Sequence, residues 1–211
     1  PVSANATATL AALPGYASSA WGFRHDIKRE GVLSTWALAG VSVVGSAVGA
    51  ILLIITPGDT FLWVVPWLLL FATFMFACGP HLLRTVRNRG VNSAGAAVSV
   101  AAMLAVSIYG GYFNGGLGIM LLATFGLIGY ANLHGMNGLK SLVSAVVSLV
   151  SSITFIAANL IAWQPAIVMA CSITVGGYLG ANLSRRIVRT DLLRHFVTVI
   201  GLAMAAVFFL H

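Results

Sequence analysis

Gly110-Gly111-Tyr112-Phe113-Asn114-Gly115-Gly116-Leu117-Gly118 interrupts an apolar stretch that runs from about residue 93 to residue 130. That stretch is too long for one membrane-spanning helix, which needs about 20 apolar residues. A glycine weakens a helix interior by about 1 kcal/mol relative to alanine, and five of these nine residues are glycine. The pattern predicts a place where the backbone leaves the helix. Inside a bilayer such a break is tolerated only where protein or water satisfies the freed N–H and C=O groups. A half-helix beginning near Gly118 would aim the positive end of its dipole at the break, and free amides together with that dipole attract an anion. Close packing of the small-xxx-small type is the other use of paired glycines. It suits the regular spacing of Gly45/Gly49 and Gly176/Gly180 better than a cluster that brackets Asn114.

Composition supports a bilayer as the surrounding solvent. Of 211 residues, 59% are hydrophobic and 7% charged, with a mean hydropathy of +0.99. A soluble domain carries about 25% charged residues, so too little polar surface exists here to coat a water-facing globule. The net charge of +7 does not point to nucleic acid, because the basic residues sit in short loops between apolar stretches, where the positive-inside rule places them. Two cysteines, Cys78 and Cys171, both within apolar runs, make no disulfide scaffold. No metal ligand set and no cofactor motif is visible.

Working outward from the break, helices are expected near 3–23, 32–55 and 60–78, with Pro57-Gly58-Asp59 as a tight turn. Beyond it, Asn132-Leu133-His134-Gly135-Met136-Asn137 reads as a polar patch, followed by helices near 139–162, 165–184 and 191–210. Two segments recur. Asn5-Ala-Thr-Ala-Thr-Leu10 aligns with Asn137-Gly-Leu-Lys-Ser-Leu142 at an offset of 132 residues. Val44-Gly-Ser-Ala-Val-Gly-Ala50 aligns with Val175-Gly-Gly-Tyr-Leu-Gly-Ala181 at an offset of 131.

The basic residues flip sides between the halves. Arg24 to Arg29 mark a loop whose counterpart near Trp163-Gln164 is uncharged, while the turn at Asp59 matches a loop holding Arg185, Arg186, Arg189 and Arg194. Homologous halves of opposite orientation account for this, since cytoplasmic loops collect the Lys and Arg residues. Placing 24–30, 79–92, 131–140 and 185–194 inside gathers all eleven Lys and Arg residues there. The 93–130 stretch must then enter and leave by the same face. Trp21, Trp36, Trp63, Trp67 and Trp163 fall near the predicted interfaces, as an aromatic belt should. The expected fold is an all-α polytopic membrane protein of about 7–8 transmembrane segments in two inverted repeats, residues 1–92 and 93–211. That is an architecture of secondary transporters, with the site near midplane.

The Gly110–Leu121 run resembles the second Gly-rich broken segment of the sulfite exporter TauE/SafE family of membrane transporters, and Asn137–Leu142 resembles the helix start that follows it. Asn5–Leu10 resembles the first such helix start, and the run 176–183 with Arg185-Arg186 behind it also fits. The resemblance implies export or import of sulfite, sulfonates or related organic anions across the bacterial cytoplasmic membrane. It also implies a first Gly-rich segment ahead of Asn5. The chain opens Pro1-Val2-Ser3-Ala4 without one, so a piece of a longer product or a reduced variant is expected.

For a small oxyanion the candidate ligands are directed donors: Asn114 with the amides of Gly115 and Gly116, then Asn5, Thr7 and Thr9, and then Asn137, Lys140 and Ser141. Lys140 otherwise snorkels to the inner interface, and Asn5 and Thr9 otherwise cap the first helix. His134 is the candidate for proton coupling, or else an exposed loop histidine. The four acids, Asp26, Glu30, Asp59 and Asp191, fall in loops or at helix ends, so no buried carboxylate relay is expected. No Ser–His pair or paired aspartates at membrane depth and no Gly-x-x-x-x-Gly-Lys-[Ser/Thr] motif suggest an enzyme. An anion-selective channel and a non-transporting membrane subunit are the remaining alternatives. The expected partners are a small anion and lipid, with a homo-oligomer left open.

Overall fold

The computed structural model of the chain describes residues 1–25, 27, 31–88, 95–130, 132–184 and 199, with side chains for 1–25, 27, 31–74, 95–130, 132, 135–175 and 199. Among the described residues the fold is all-helical, without strands. Its helices are α1 (Val2–Gly22), α2 (Thr35–Ile55), α3 (Gly58–Asn88), α4 (Ala96–Tyr112), α5 (Leu117–Ile128), α6 (Leu133–Ala157) and α7 (Trp163–Ser184). The helix expected at 191–210 and the basic residues from Arg185 onward lie, apart from Val199, outside the described residues.

Thr35–Ile55 and Gly135–Ala157 are long and apolar enough to cross a bilayer, and shorter apolar helices occupy Gly58–Phe74, Ala96–Tyr112, Leu117–Ile128 and Trp163–Val175. The outer face of α2 presents Val43, Val44, Val48, Ile51, Leu52 and Ile55, an apolar surface that suits lipid and not water. All five tryptophans are exposed, Trp36 at 87%. Trp21 and Trp36 stand where α1 ends and α2 begins, while Trp63, Trp67 and Trp163 lie near the starts of α3 and α7. Two belts result, and the chain is a membrane protein.

Small residues set the inner packing. The buried side of α2 carries Ser42, Gly45, Ser46 and Gly49 and lies along α4. A Cβ on Gly45 would stand 2.6 Å from the Ser107 Cβ, and one on Gly49 would strike the carbonyl of Ile108. Gly111 meets the backbone of Ser46 just as closely. Such approach is what glycine at a helix interface allows. Ser107 donates to Ser42 at 3.3 Å, and the Tyr112 hydroxyl meets Thr56 at 3.4 Å. Position numbers rise together on both helices, so α2 and α4 run parallel.

The chain reverses between α4 and α5. A Cβ on Gly110 would touch the Leu117 side chain, and the far end of α5 returns to the start of α2. There the Val32 N–H reaches the Ile128 carbonyl at 3.4 Å, and the Tyr130 hydroxyl donates to the Leu33 carbonyl at 3.2 Å. The hairpin thus begins and ends at one end of the bundle. At that first end Gly138 packs on Phe23 and Ile27, and Ser19 and Ser141 share a hydrogen bond of 2.8 Å. At the second end Ser3 donates to the Leu160 carbonyl at 2.7 Å, and Thr7 accepts from the Ala162 N–H at 3.1 Å. Hence α1 and α6 are antiparallel. Moreover α2 packs on α6 and α7 packs on α1, a reciprocal arrangement.

Several boundaries differ from the sequence expectation, each for a local reason. The polar patch 132–137 is helical from Leu133, because Asn132 caps it by accepting the Gly135 N–H at 3.4 Å. Asn137 is therefore one turn inside α6 and not at its start. The same helix stops at Ala157, not 162. Asn159 takes a left-handed φ of 56°, with Leu160 N–H on the Phe155 carbonyl at 3.0 Å and its own N–H on Ile156 at 3.0 Å; this is a Schellman ending. Gly129, at φ 101°, ends α5 the same way. Asn5 is not a cap either, since α1 starts at Val2 with Pro1 at its cap position.

The α2–α4 seam makes a direct prediction. Gly49→Ala forces a Cβ into backbone and should cost about 1–3 kcal/mol, read as a lower thermal midpoint in detergent. Gly40→Ala, which meets nothing within 4 Å, should leave the midpoint unchanged or raise it.

Candidate functional site

Phe113, Asn114, Gly115 and Gly116 form the break between the 17-residue α4 and the 12-residue α5. Gly116 takes φ +76°, a left-handed conformation that costs an L-residue about 1–2 kcal/mol. Its Cα side faces Ala72 of α3, where a Cβ would come within 2.9 Å. The glycine cluster is thus used twice, for close approach to α2 at Gly111 and for the reversal at Gly116.

The two helix ends that meet here are treated differently. At the carbonyl end of α4 two groups are served: Asn5 of α1 donates its amide to the Tyr112 carbonyl at 3.0 Å, and the Phe113 N–H closes on the Tyr109 carbonyl at 2.7 Å. Tyr109 also braces the turn by donating its hydroxyl to the Gly115 carbonyl at 2.7 Å, held by edge contacts with Phe71 and Phe113. The amide end of α5 is not served. No side chain caps it, and the N–H groups of Gly115, Gly116 and Gly118 have no acceptor among the described residues. The Leu117 N–H reaches only the Asn114 carbonyl, at 3.4 Å.

Against this end lies one row of α6. Asn114 donates to the Ser148 hydroxyl at 3.1 Å, while its own Oδ1 is buried without a partner. Lys140, half-buried, lays its stem over the first turn of α5, its Cδ 3.3 Å from where a Gly118 Cβ would be. Ser144 lies between the two, four residues from each, so it shares their face. It is 1% exposed and its hydroxyl has no partner. Of the acids, only Asp59 is among the described residues, exposed at the start of α3. Among the described residues, the charges at the break are the Lys140 ammonium and the positive end of the α5 dipole.

The expected site residues separate into two groups. Asn114, Gly115, Gly116 and Lys140 come together at the break, and Asn5 joins them by holding the α4 terminus. Thr9, one turn along α1, returns its hydroxyl to the Asn5 carbonyl at 2.9 Å. Thr7 serves the loop at Ala162, and Ser141 bonds Ser19 and the Asn137 carbonyl; Thr7 and Ser141 thus lie on the α1–α6 seam, with Asn137 one turn before Ser141 on α6. His134 falls in the first turn of α6, its side chain outside the described residues. Ser144 and Ser148 were absent from the expectation. The signal was there, because serines 141, 144, 148, 151 and 152 recur at helical spacing within one apolar span.

The family model described as sulfite exporter TauE/SafE matches residues 1–208. The chain belongs to the sulfite exporter TauE/SafE family. No curated protein and no solved structure matches the chain. The family is one of membrane transporters. Among the described residues no group of three or more His, Cys, Asp or Glu side chains comes together.

Losing the Asn5 amide leaves the Tyr112 carbonyl unserved at the end of α4. Asn5→Leu should therefore lower stability by about 1–3 kcal/mol, measured as thermal unfolding of the purified protein. The neighbouring Ala4→Leu, at an exposed position, should not.

Proposed function

We propose that the protein is a secondary transporter that carries a small sulfur-containing oxyanion, sulfite or a sulfonate, across the bacterial cytoplasmic membrane. The anion binds where α5 begins. One observation carries this reading: an uncapped helix N-terminus faces buried polar atoms that have no partner, at mid-depth in the protein. Ser148 lies 13 residues from the start and 9 from the end of the span Gly135–Ala157, or about 20 and 14 Å at 1.5 Å per residue.

Each group has a task. The N–H groups of Gly115, Gly116 and Gly118 point donors at the anion, as helix N-termini do for oxyanions. Lys140 supplies the countercharge. Ser144 adds a hydroxyl donor. The Asn114 amide can turn over, its Oδ1 then accepting from Ser148 and its NH₂ facing the anion. Asn5 and Tyr109 hold the backbone in place. A thiolate or carboxylate lining would repel the ligand, and neither is found among the described residues here.

The same reading extends to the scaffold. Residues 1–92 and 93–211 are proposed as inverted repeats, supported by the antiparallel α1–α6 pair and by the reciprocal packing of α2 on α6 and α7 on α1. With the α4–α5 hairpin as a re-entrant pair, Arg24, the start of α6 and both ends of that hairpin share the cytoplasmic side. Rocking of one repeat against the other would expose the break to each side in turn.

Flux into liposomes tests the proposal. Sulfite or methanesulfonate uptake by the reconstituted protein should saturate and show counterflow, which a channel would not. Removing a hydrogen bond to a charged ligand is worth about 1.5–3 kcal/mol, so Asn114→Leu and Lys140→Gln should each weaken apparent affinity by about 10- to 100-fold. If Asn114→Leu, monodisperse and folded, transports like the wild type, the site is elsewhere.

A further inference from the structure

The serine row of α6 continues past the break. Ser144, Ser148, Ser151 and Ser152 are each no more than 1% exposed, and at 3.6 residues per turn they fall within about 100° of one another around the helix. They cover about 12 Å of its length. A serine inside a helix ordinarily bonds a carbonyl one turn back, as Ser141 does on this same helix. The hydroxyls of Ser144, Ser151 and Ser152 do not, and have no partner among the described residues. Buried polar atoms without partners are uncommon enough in proteins to call for an explanation.

Ser144 is explained by its place between Lys140 and Ser148. Ser151 and Ser152 are not, because they lie one turn nearer the second end, past Asn114. Beyond them the same face of α6 carries Phe155, fully buried in an apolar cluster with Leu53, Phe61, Val65, Ala6 and Ala50. From the break to the second end, the interior thus runs from an amide, through a row of unpaired hydroxyls, to an apolar plug.

We propose that Ser151 and Ser152 form a second, weaker station for the anion, on a route from the break to the second end that Phe155 closes in this conformation. The proposal rests on the transporter reading but assigns residues which that reading leaves unused. Neutral hydroxyls donate to an anion without a permanent charge to trap it. Passage requires binding that is favourable enough to enter and weak enough to leave. An apolar constriction excludes water until its side chains part, so Phe155 separates the hydroxyl row from the aqueous phase.

Thiol labelling tests this in the reconstituted full chain with Cys78→Ala and Cys171→Ala. Into it goes Ser151→Cys, Ser152→Cys or, on the lipid-facing side of α6, Ile153→Cys, which replaces a residue 59% exposed. The probe is an anionic, membrane-impermeant methanethiosulfonate reagent. Methanesulfonate serves as protectant, since sulfite would itself consume the reagent. Cysteines at 151 and 152 should label at least about tenfold faster than one at 153, because thiol reactivity needs water and a thiolate. Methanesulfonate should slow that labelling, and Phe155→Ala should speed it; Leu53→Ala replaces Phe155→Ala should the latter fail to fold. Labelling at 151 and 152 no faster than at 153, with and without the plug mutation, overturns the route. If anion flux persists in that case, the site at Asn114 stands without it. Protected labelling in a protein that carries no anion supports the station and overturns the transport reading instead.

Discussion

A peptide group in hydrocarbon has no water to turn to, and everything about residues 113–116 follows from that constraint. Breaking a helix at mid-depth frees carbonyls on one side and amides on the other. The protein deals with the carbonyls: Asn5 and Tyr109, from outside and inside the hairpin, donate to the backbone of Tyr112 and Gly115. The amides of α5 receive nothing comparable. A break needed only for packing would be sealed on both sides. Here side chains reach only carbonyls, those of Tyr112 and Gly115, while no side chain caps the amides of α5, and the nearby Lys140 adds to the positive polarity instead of offsetting it.

Holding such a break rigid depends on close packing around it. Gly45, Gly49 and Gly111 bring α2 against α4 at backbone contact, so the short α4 is braced by a helix long and apolar enough to cross the bilayer. Dispersion forces act well over such contacts, and no hydrophobic drive between helices is available in lipid. The valines and isoleucines on the other side of α2 face outward. Between Leu38 and Leu53, which are themselves buried, α2 therefore divides its residues by size, small inward and branched outward. Hydroxyls at 42, 46 and 107 fill the seam and bond back to their own helices or across it, which keeps polar atoms satisfied where no side chain larger than serine fits.

Much of this was legible in the chain. Five glycines in nine residues announced the break, and its position at 113–116 lies within them. The apolar runs located the helices, because length and hydropathy are properties of the segment itself. Boundaries were less legible where a single residue decided them. Asn132 and Asn159 act through particular backbone geometry at a cap and a Schellman turn, and in sequence one is a further polar residue in a polar patch and the other a lone asparagine in an apolar run. The grouping of polar residues at the break, which the proposed site uses, was half legible. Asn114, Gly115, Gly116 and Lys140 could be named from local context, whereas Thr7, Asn137 and Ser141 share a helix with site residues but face a different neighbour. Ser144 and Ser148 were missed because serine in a small-residue helix resembles alanine until the helix is rotated and its partner is known.

The two proposed halves share a scaffold without sharing a site. At the offset of 132 residues, Asn137 matches Asn5 and Ser141 matches Thr9, yet Lys140 matches Ala8, Ser144 matches Ala12 and Ser148 matches Tyr16. Of the matching residues, Asn5 ties α1 to α4 and Ser141 ties α6 to α1. The residues around the break have no like counterpart on α1. A symmetric pair of helices could offer the anion equal surroundings on both sides. Here α6 carries the cation and the hydroxyls, while α1 supplies a prop through Asn5. Such a division lets the proposed ligand side keep polar atoms unsatisfied, at a cost in stability, while α1 serves the Tyr112 carbonyl.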